Sequence, residues 1–150
     1  MAPRSDAGTI RPMAAVGKRI LIGYDGTEPS RRALERAAEI AGYASSVTLV
    51  NVAPPLYGKP HDGIPDPRGL AEGKRLLEEA RSELARRHVR AHVVEPVGHP
   101  AEALVEAAKD LRADLVILGT HDRGTVGRLL HGSVSEAVVR DAPCDVMVVR

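Results

Sequence analysis

Four runs in this chain are short, almost continuously apolar and bounded by turn residues: Arg19–Tyr24 (RILIGY), Val47–Val52 (VTLVNV), Asp114–Gly119 (DLVILG) and Asp145–Val149 (DVMVV). That evenness is the pattern of strands covered on both faces, where neither side of the strand meets water. A fifth run, Val89–Glu95, alternates instead, with Val89, Ala91 and Val93 separated by Arg90 and His92. One wetter face of this kind belongs at a sheet edge.

Helical patterns fill the intervals. Ala33, Leu34, Ala37, Ala38 and Ala41 recur at helix spacing, with Thr27 as the expected N-cap, Pro29 in the first turn and Gly42 as the stop. Leu77, Ala80 and Leu84 mark a second helix over about Gly69–Arg87, charged on its other faces. Ala101, Leu104, Val105, Ala108 and Leu111 mark a third, opened by Pro100. Leu129, Leu130, Val134, Ala137 and Val138 mark a fourth, interrupted at Gly132. Strands separated by helices pair in parallel through right-handed crossovers. The expected fold is therefore α/β: an open, doubly wound, Rossmann-like sheet of five parallel strands in the order 3-2-1-4-5, with helices on both faces. Ligands of such sheets bind at the carboxyl ends of the strands, at the switch between strands one and four. Here those ends are Gly23-Tyr24-Asp25 and Gly119-Thr120-His121.

Composition narrows what such a sheet can do. At 150 residues the chain reads as a single domain. Its 21 basic residues against 20 acidic ones leave a net charge of +1, too little for a general nucleic-acid field. With no Trp, no Phe and three Tyr it has no base-stacking platform, and its core must be aliphatic. Cys144 is the only cysteine, so no internal disulfide or Cys-based metal spacing exists, and it reads as a small buried hydrophobe. No stretch reaches the ~18 apolar residues of a membrane span. Residues 1–17 carry scattered charges and prolines and no apolar signal-peptide segment, so we expect a flexible tail before a domain over 18–150, in a cytoplasmic protein.

Residues 53–69 form the long connection after strand two, with five prolines, three glycines and no periodic pattern. Connections of this length are usually functional or disordered. The alternatives are a flap over the pocket and a surface excursion.

The stretch Gly119–Val139 (GTHDRGTVGRLLHGSVSEAVV) leads from the end of strand four into the fourth helix. Glycine permits close backbone approach, and helix N-terminal amides favour anions, so Gly132, Ser133 and Val134 are candidate phosphate donors. The competing reading is a glycine turn with Ser133 as an ordinary N-cap. The segment Gly127–Ser133 copies the spacing of a P-loop but lacks the lysine before the serine. Strand one is followed by Gly23-Tyr24-Asp25-Gly26, which is no dinucleotide fingerprint.

Several segments together resemble the universal stress protein family, over about residues 18–150. The opening ILIGYDGTEPSRRAL, the middle VGHPAEALVEAA and the closing APCDVMVVR are similar to the family's. Its nucleotide motif, Gly-x2-Gly-x9-Gly-Ser/Thr, falls on Gly119, position 122 and Gly132-Ser133. The resemblance implies ATP or AMP as ligand, with or without Mg²⁺, in a stress-response regulator. Asp25 would lie near ribose or phosphates and the Val52 backbone at the adenine, while Gly119, Gly132, Ser133 and Val134 hold ribose and phosphates. It also implies a homodimer through the last strand, and Val146–Val149 is an apolar edge that calls for a partner.

The departure from the motif is Asp122, which stands where the family has its second glycine. A carboxylate there adds bulk and negative charge at a phosphate site. The alternative function is therefore an interaction protein of the same fold that binds no nucleotide. No nucleophile elbow, paired carboxylates or metal-ligand set is present, and His61 with Asp62 supplies only two ligands. His99, at the start of the third helix, reads as a solvent-facing residue. We expect a binding protein with no catalytic residue; slow ATP hydrolysis stays open without a nominated base.

Overall fold

The apolar runs do form the sheet. The computed structural model describes residues 17–42, 45–57, 63–120 and 134–150. In chain order the elements are β1 (Arg19–Gly23), α1 (Glu28–Ile40), β2 (Ser46–Val50), β3 (Pro55–Tyr57), β4 (Ile64–Pro65), α2 (Pro67–Arg86), β5 (Ala91–Val94), α3 (Pro100–Asp110), β6 (Leu115–Gly119), α4 (Val134–Asp141) and β7 (Asp145–Val149). Five strands make one parallel sheet in the order β5-β2-β1-β6-β7, the expected 3-2-1-4-5 topology. Tail positions 1–16 lie outside the described residues.

Each face of the sheet carries its own core. Ile20, Ile22, Val47, Leu49, Leu115 and Ile117 pack against α1 and α2 through Ala33, Leu34, Ala37, Leu77, Ala80 and Leu84. Leu21, Val50, Val116 and Leu118 pack against Leu104, Val105 and Ala108 of α3 and Val138 of α4. In β1, β2 and β6 strict alternation divides the apolar run between two helical layers, which is why those runs are continuous. β7 departs from the expected two-sided cover, its positions half-buried or exposed at the other edge of the sheet. Leu21, Ile22, Leu49, Leu84 and Ile117 are each almost fully buried. Burial of such a side chain stabilises by about 1.5–3 kcal/mol. The edge strand β5 alternates half-buried with exposed positions, as its sequence predicts.

Some local expectations change. Thr27 is the N-cap of α1, but its side chain makes no cap bond. α1 ends when Ala41 turns extended, so Gly42 is not used as a left-handed stop. α2 starts at Pro67, capped by the Asp66 carboxylate, which accepts from the Arg68 amide at 3.2 Å. The connection over 53–69 is not structureless. β3 and β4 pair as an antiparallel ribbon, whose base is closed by the Asp66 amide donating to the Pro54 carbonyl at 3.1 Å. Cys144 is half-buried rather than buried, and burial pushes its thiol up, with Asp145 and Asp114 acting in the same direction. Among the described residues no helix is long and apolar enough to cross a membrane.

Candidate functional site

β1, β2 and β6 end side by side, so their carboxyl ends bring Gly23, Tyr24, Asp25, Val52, Gly119 and Thr120 to one edge. The Tyr24 amide continues the ladder one step, donating to the Val50 carbonyl at 2.9 Å. The chain then turns. Thr27 donates to Asp25 Oδ1 twice, from its amide at 3.0 Å and from Oγ1 at 2.5 Å. Gly26 between them sits at φ +77°, a conformation that disfavours any side chain. Ser30 Oγ locks the start of α1 by donating to the Thr27 carbonyl at 2.9 Å. The Asp25 carboxylate is thereby fixed at the mouth of the sheet, exposed and next to the amides of a helix N-terminus. Sequence alone assigns Thr27 to the helix; the structure assigns its hydroxyl to Asp25.

Gly119 owes its identity to the fold. A Cβ there would overlap the Pro29 carbonyl group and lie 2.6 Å from the Ser30 amide nitrogen. The first turn of α1 rests on the end of β6, and only glycine lets two backbones come that close. At Gly23 a Cβ would run into the Leu118 side chain and lie 3.4 Å from Leu104 Cδ2. Thr120 extends β6 by donating its amide to the Val149 carbonyl at 2.9 Å.

Tyr24 lies at the predicted edge, but its ring is not presented there. It is only 6% exposed, within the core under α1 and α2. Burial pushes its phenol up, while the charge and hydrogen bond of Arg31 pull the other way. Tyr57, on the ribbon, is 69% exposed beside Leu56 and Ile64, which are exposed too.

Val52 has a distinctive main chain. Its neighbours Asn51 and Ala53 donate to β5 and its extension, at Val94 (3.2 Å) and Pro96 (2.8 Å). Gly98 returns a bond to the Ala53 carbonyl at 3.0 Å. Alternation turns Val52 towards β1, which has already left the sheet for the Asp25 turn. The Tyr24 carbonyl that would have met it accepts from Asn51 Nδ2 at 2.8 Å instead. Among the described residues, the Val52 amide and carbonyl have no backbone partner. Asn51 was missed in the sequence, where its signal was a polar residue breaking the apolar run VTLVNV.

On the far side of the switch, α4 begins at Val134, which is 39% exposed. Thr120, Ser135, Arg140, Val148 and Arg150 line a groove of about 440 Å³ between this helix and β7. His121, Asp122, Gly132 and Ser133 lie outside the described residues, as do Gly127–His131, His61 and Asp62. His99 is the exposed N-cap position of α3 and makes no side-chain cap bond. Among the described residues no group of three His, Cys, Asp or Glu side chains is placed to hold a metal ion.

Residues 17–150 match the model of the universal stress protein family. A universal stress protein of Thermus aquaticus is 36% identical over 141 residues, covering 89% of this chain and 98% of that one. The universal stress protein structure from Archaeoglobus fulgidus superposes with a TM-score of 0.74 at 23% identity, covering 89% and 98% of the two chains, a likeness of fold. A universal stress protein solved in complex with cAMP superposes with a TM-score of 0.67 at 26% identity, covering 90% and 98%.

Proposed function

The chain belongs to the universal stress protein family, and from that premise we propose that it binds an adenine nucleotide, ATP or AMP, across the carboxyl edge between β1 and β6. The observation that carries this reading is the amide and carbonyl of Val52, half-buried at that edge and without a backbone partner among the described residues. Buried or half-buried backbone groups find partners. The Watson–Crick edge of adenine offers one acceptor, N1, beside one donor, the 6-amino group, and so matches an amide and a carbonyl on one residue. Asp25, held by Thr27, then reaches the ribose hydroxyls. Gly119, Thr120, His121, Gly132, Ser133 and Val134 surround the phosphates, and Gly23 and Tyr24 supply the floor. A related protein of this fold holds cAMP, which carries the same base.

In this reading the protein works by binding rather than by catalysis, as a cytoplasmic stress-response regulator. Residues 18–150 are the binding domain and residues 1–17 its tail. Among the described residues no strand pairs with the outer edge of β7, and this edge, with Val148 37% exposed, supports pairing with a second copy through Val146–Val149.

Calorimetric titration of AMP, ATP with Mg²⁺ and cAMP into wild type and Asp122→Gly tests the site. Saturable binding of at least one nucleotide, lost on replacing Val52 by proline, is the expected result, because proline removes the amide. Absence of binding by both wild type and Asp122→Gly sinks the proposal. Binding only by Asp122→Gly favours the interaction protein with a disabled phosphate loop. Light scattering at micromolar concentration reads the dimer, and a mass near the 16.0 kDa of one chain counts against it.

A further inference from the structure

On the α2 side of the sheet, just past the end of β5, both carboxylate oxygens of Glu95 are buried with no hydrogen-bond partner among the described residues. They lie in a notch made by Gly73 of α2. A Cβ on Gly73 would overlap Glu95 Oε2 and lie 2.5 Å from Asn51 Oδ1, so the two oxygens crowd one small space. The orientation of the Asn51 amide is set by its other end, because Nδ2 donates to the Tyr24 carbonyl at 2.8 Å. A flipped amide would set oxygen against oxygen there. Oδ1 must therefore face the notch, and an ionised Glu95 would oppose one acceptor to another in a place water does not reach.

One proton resolves the conflict. We propose that Glu95 is a proton-operated latch: with α2 seated, its carboxyl group is protonated and donates to Asn51 Oδ1, and loss of that proton loosens α2 from the sheet. The chemistry is a single protonation, carboxylate plus proton to carboxylic acid, with no other bond made or broken. Burial acts in the required direction, pushing the Glu95 carboxyl above the usual glutamate range. Lys74, next to Gly73 on α2, is the charged group that opposes it; the residue facing Glu95 just past the end of β2 is the neutral Asn51. The latch has a mechanical outlet. Asn51 also holds the Tyr24 carbonyl one residue before Asp25, so the hydrogen bond that Glu95 makes or loses is coupled through one side chain to the turn that ends β1, while the proton itself stays on Glu95. The inference stands whether or not a nucleotide binds.

The sign follows from linkage. A carboxyl whose pKa is raised by folding binds its proton more tightly in the native state, so this group's contribution to stability is fully present below its unfolded value and is lost as pH rises through the folded one. The test is a carbon-detected NMR titration of the glutamate carboxyls in the full chain, with urea unfolding of wild type and Glu95→Gln from about pH 4 to 8. The expected Glu95 midpoint lies above the ordinary ~4.3. Within that window the wild-type unfolding constant should rise with pH by up to about tenfold per unit. Glu95→Gln, which keeps the shape and carries its own donor, should lack that segment of the profile and outlast wild type at pH 8. An ordinary Glu95 midpoint, as for a carboxylate bridged by water, overturns the proposal. Parallel profiles for wild type and Glu95→Gln overturn it as well. If the variant does not fold, the wild-type midpoint decides alone.

Discussion

The side-chain amide of Asn51 donates to the main-chain carbonyl of Tyr24 at 2.8 Å, a side chain standing in for the next rung of a β-ladder. β1 and β2 part company here, and the bond lets β1 turn into the Asp25–Thr27 loop without leaving a half-buried carbonyl bare. Asn51→Ala should therefore cost about 1–3 kcal/mol, the range for an orphaned polar group, in urea unfolding. Asn51→Asp should also be destabilising, because it sets a second acceptor against the same carbonyl. A loss below ~0.5 kcal/mol in both variants would show that the bond does not matter.

Gly119 and Gly23 separate backbone collisions from side-chain ones. In Gly119→Ala the new methyl meets the Pro29 carbonyl, which can move only with α1. In Gly23→Ala it meets the end of the Leu118 side chain, which can change rotamer. Overpacking typically costs about 1–3 kcal/mol, and Gly119→Ala belongs at or above the top of that range. Thermal unfolding should rank Gly119→Ala as the worse variant, and the opposite ranking would contradict the geometry.

Arg19 and Asp114 carry a pH dependence opposite to that of Glu95. The Arg19 amide donates to Asp114 Oδ2 at 2.8 Å and its guanidinium at 3.3 Å, and hydrogen bonding from this side chain holds the carboxyl below its usual range. A depressed carboxyl contributes stability that is present above its unfolded value of ~3.9 and lost as pH falls through the folded one. The pair is half-exposed, so the contribution should stay within about 1 kcal/mol. Asp114→Ala should be less stable than wild type at pH 7, and the two curves should converge in acid. A gap that persists undiminished at pH 2 would assign the effect to something other than ionisation.

Core and ribbon should respond to truncation in contrasting ways. Leu84, fully buried on the sheet-facing side of α2, should lose about 2–5 kcal/mol on conversion to Ala. Tyr57→Ser and Ile64→Ser, at side chains 69% and 63% exposed, should change stability by no more than ~0.5 kcal/mol. A large loss at either ribbon position would mean that these side chains are covered in solution.

The strands were legible as four continuous apolar runs and one alternating run, and the alternation marked an edge. β7, at the other edge, carries a continuous run, so its place followed from the doubly wound order and not from its own pattern. Val89–Glu95 alone placed the third strand outside. Helix starts were less legible. Thr27 looks like any capping threonine until the tertiary turn gives its hydroxyl to Asp25, and Pro67 begins α2 inside a stretch that reads as loop. Of the glycine-serine motif, the structure describes Gly119, Thr120 and Val134, and it gives Gly119 a packing role that spacing does not reveal.

Sequence by itself determined the parallel sheet, its order, its aliphatic core and its carboxyl edge, because hydrophobic period is a local property read within a few residues. Tertiary structure decided what each edge residue does. Asn51 meets Tyr24 across 27 positions, and Glu95 meets Gly73 only once α2 has folded back on the sheet. Whether a polar atom ends up paired, bare or opposed depends on which distant atom the register brings beside it, and no local pattern carries that information.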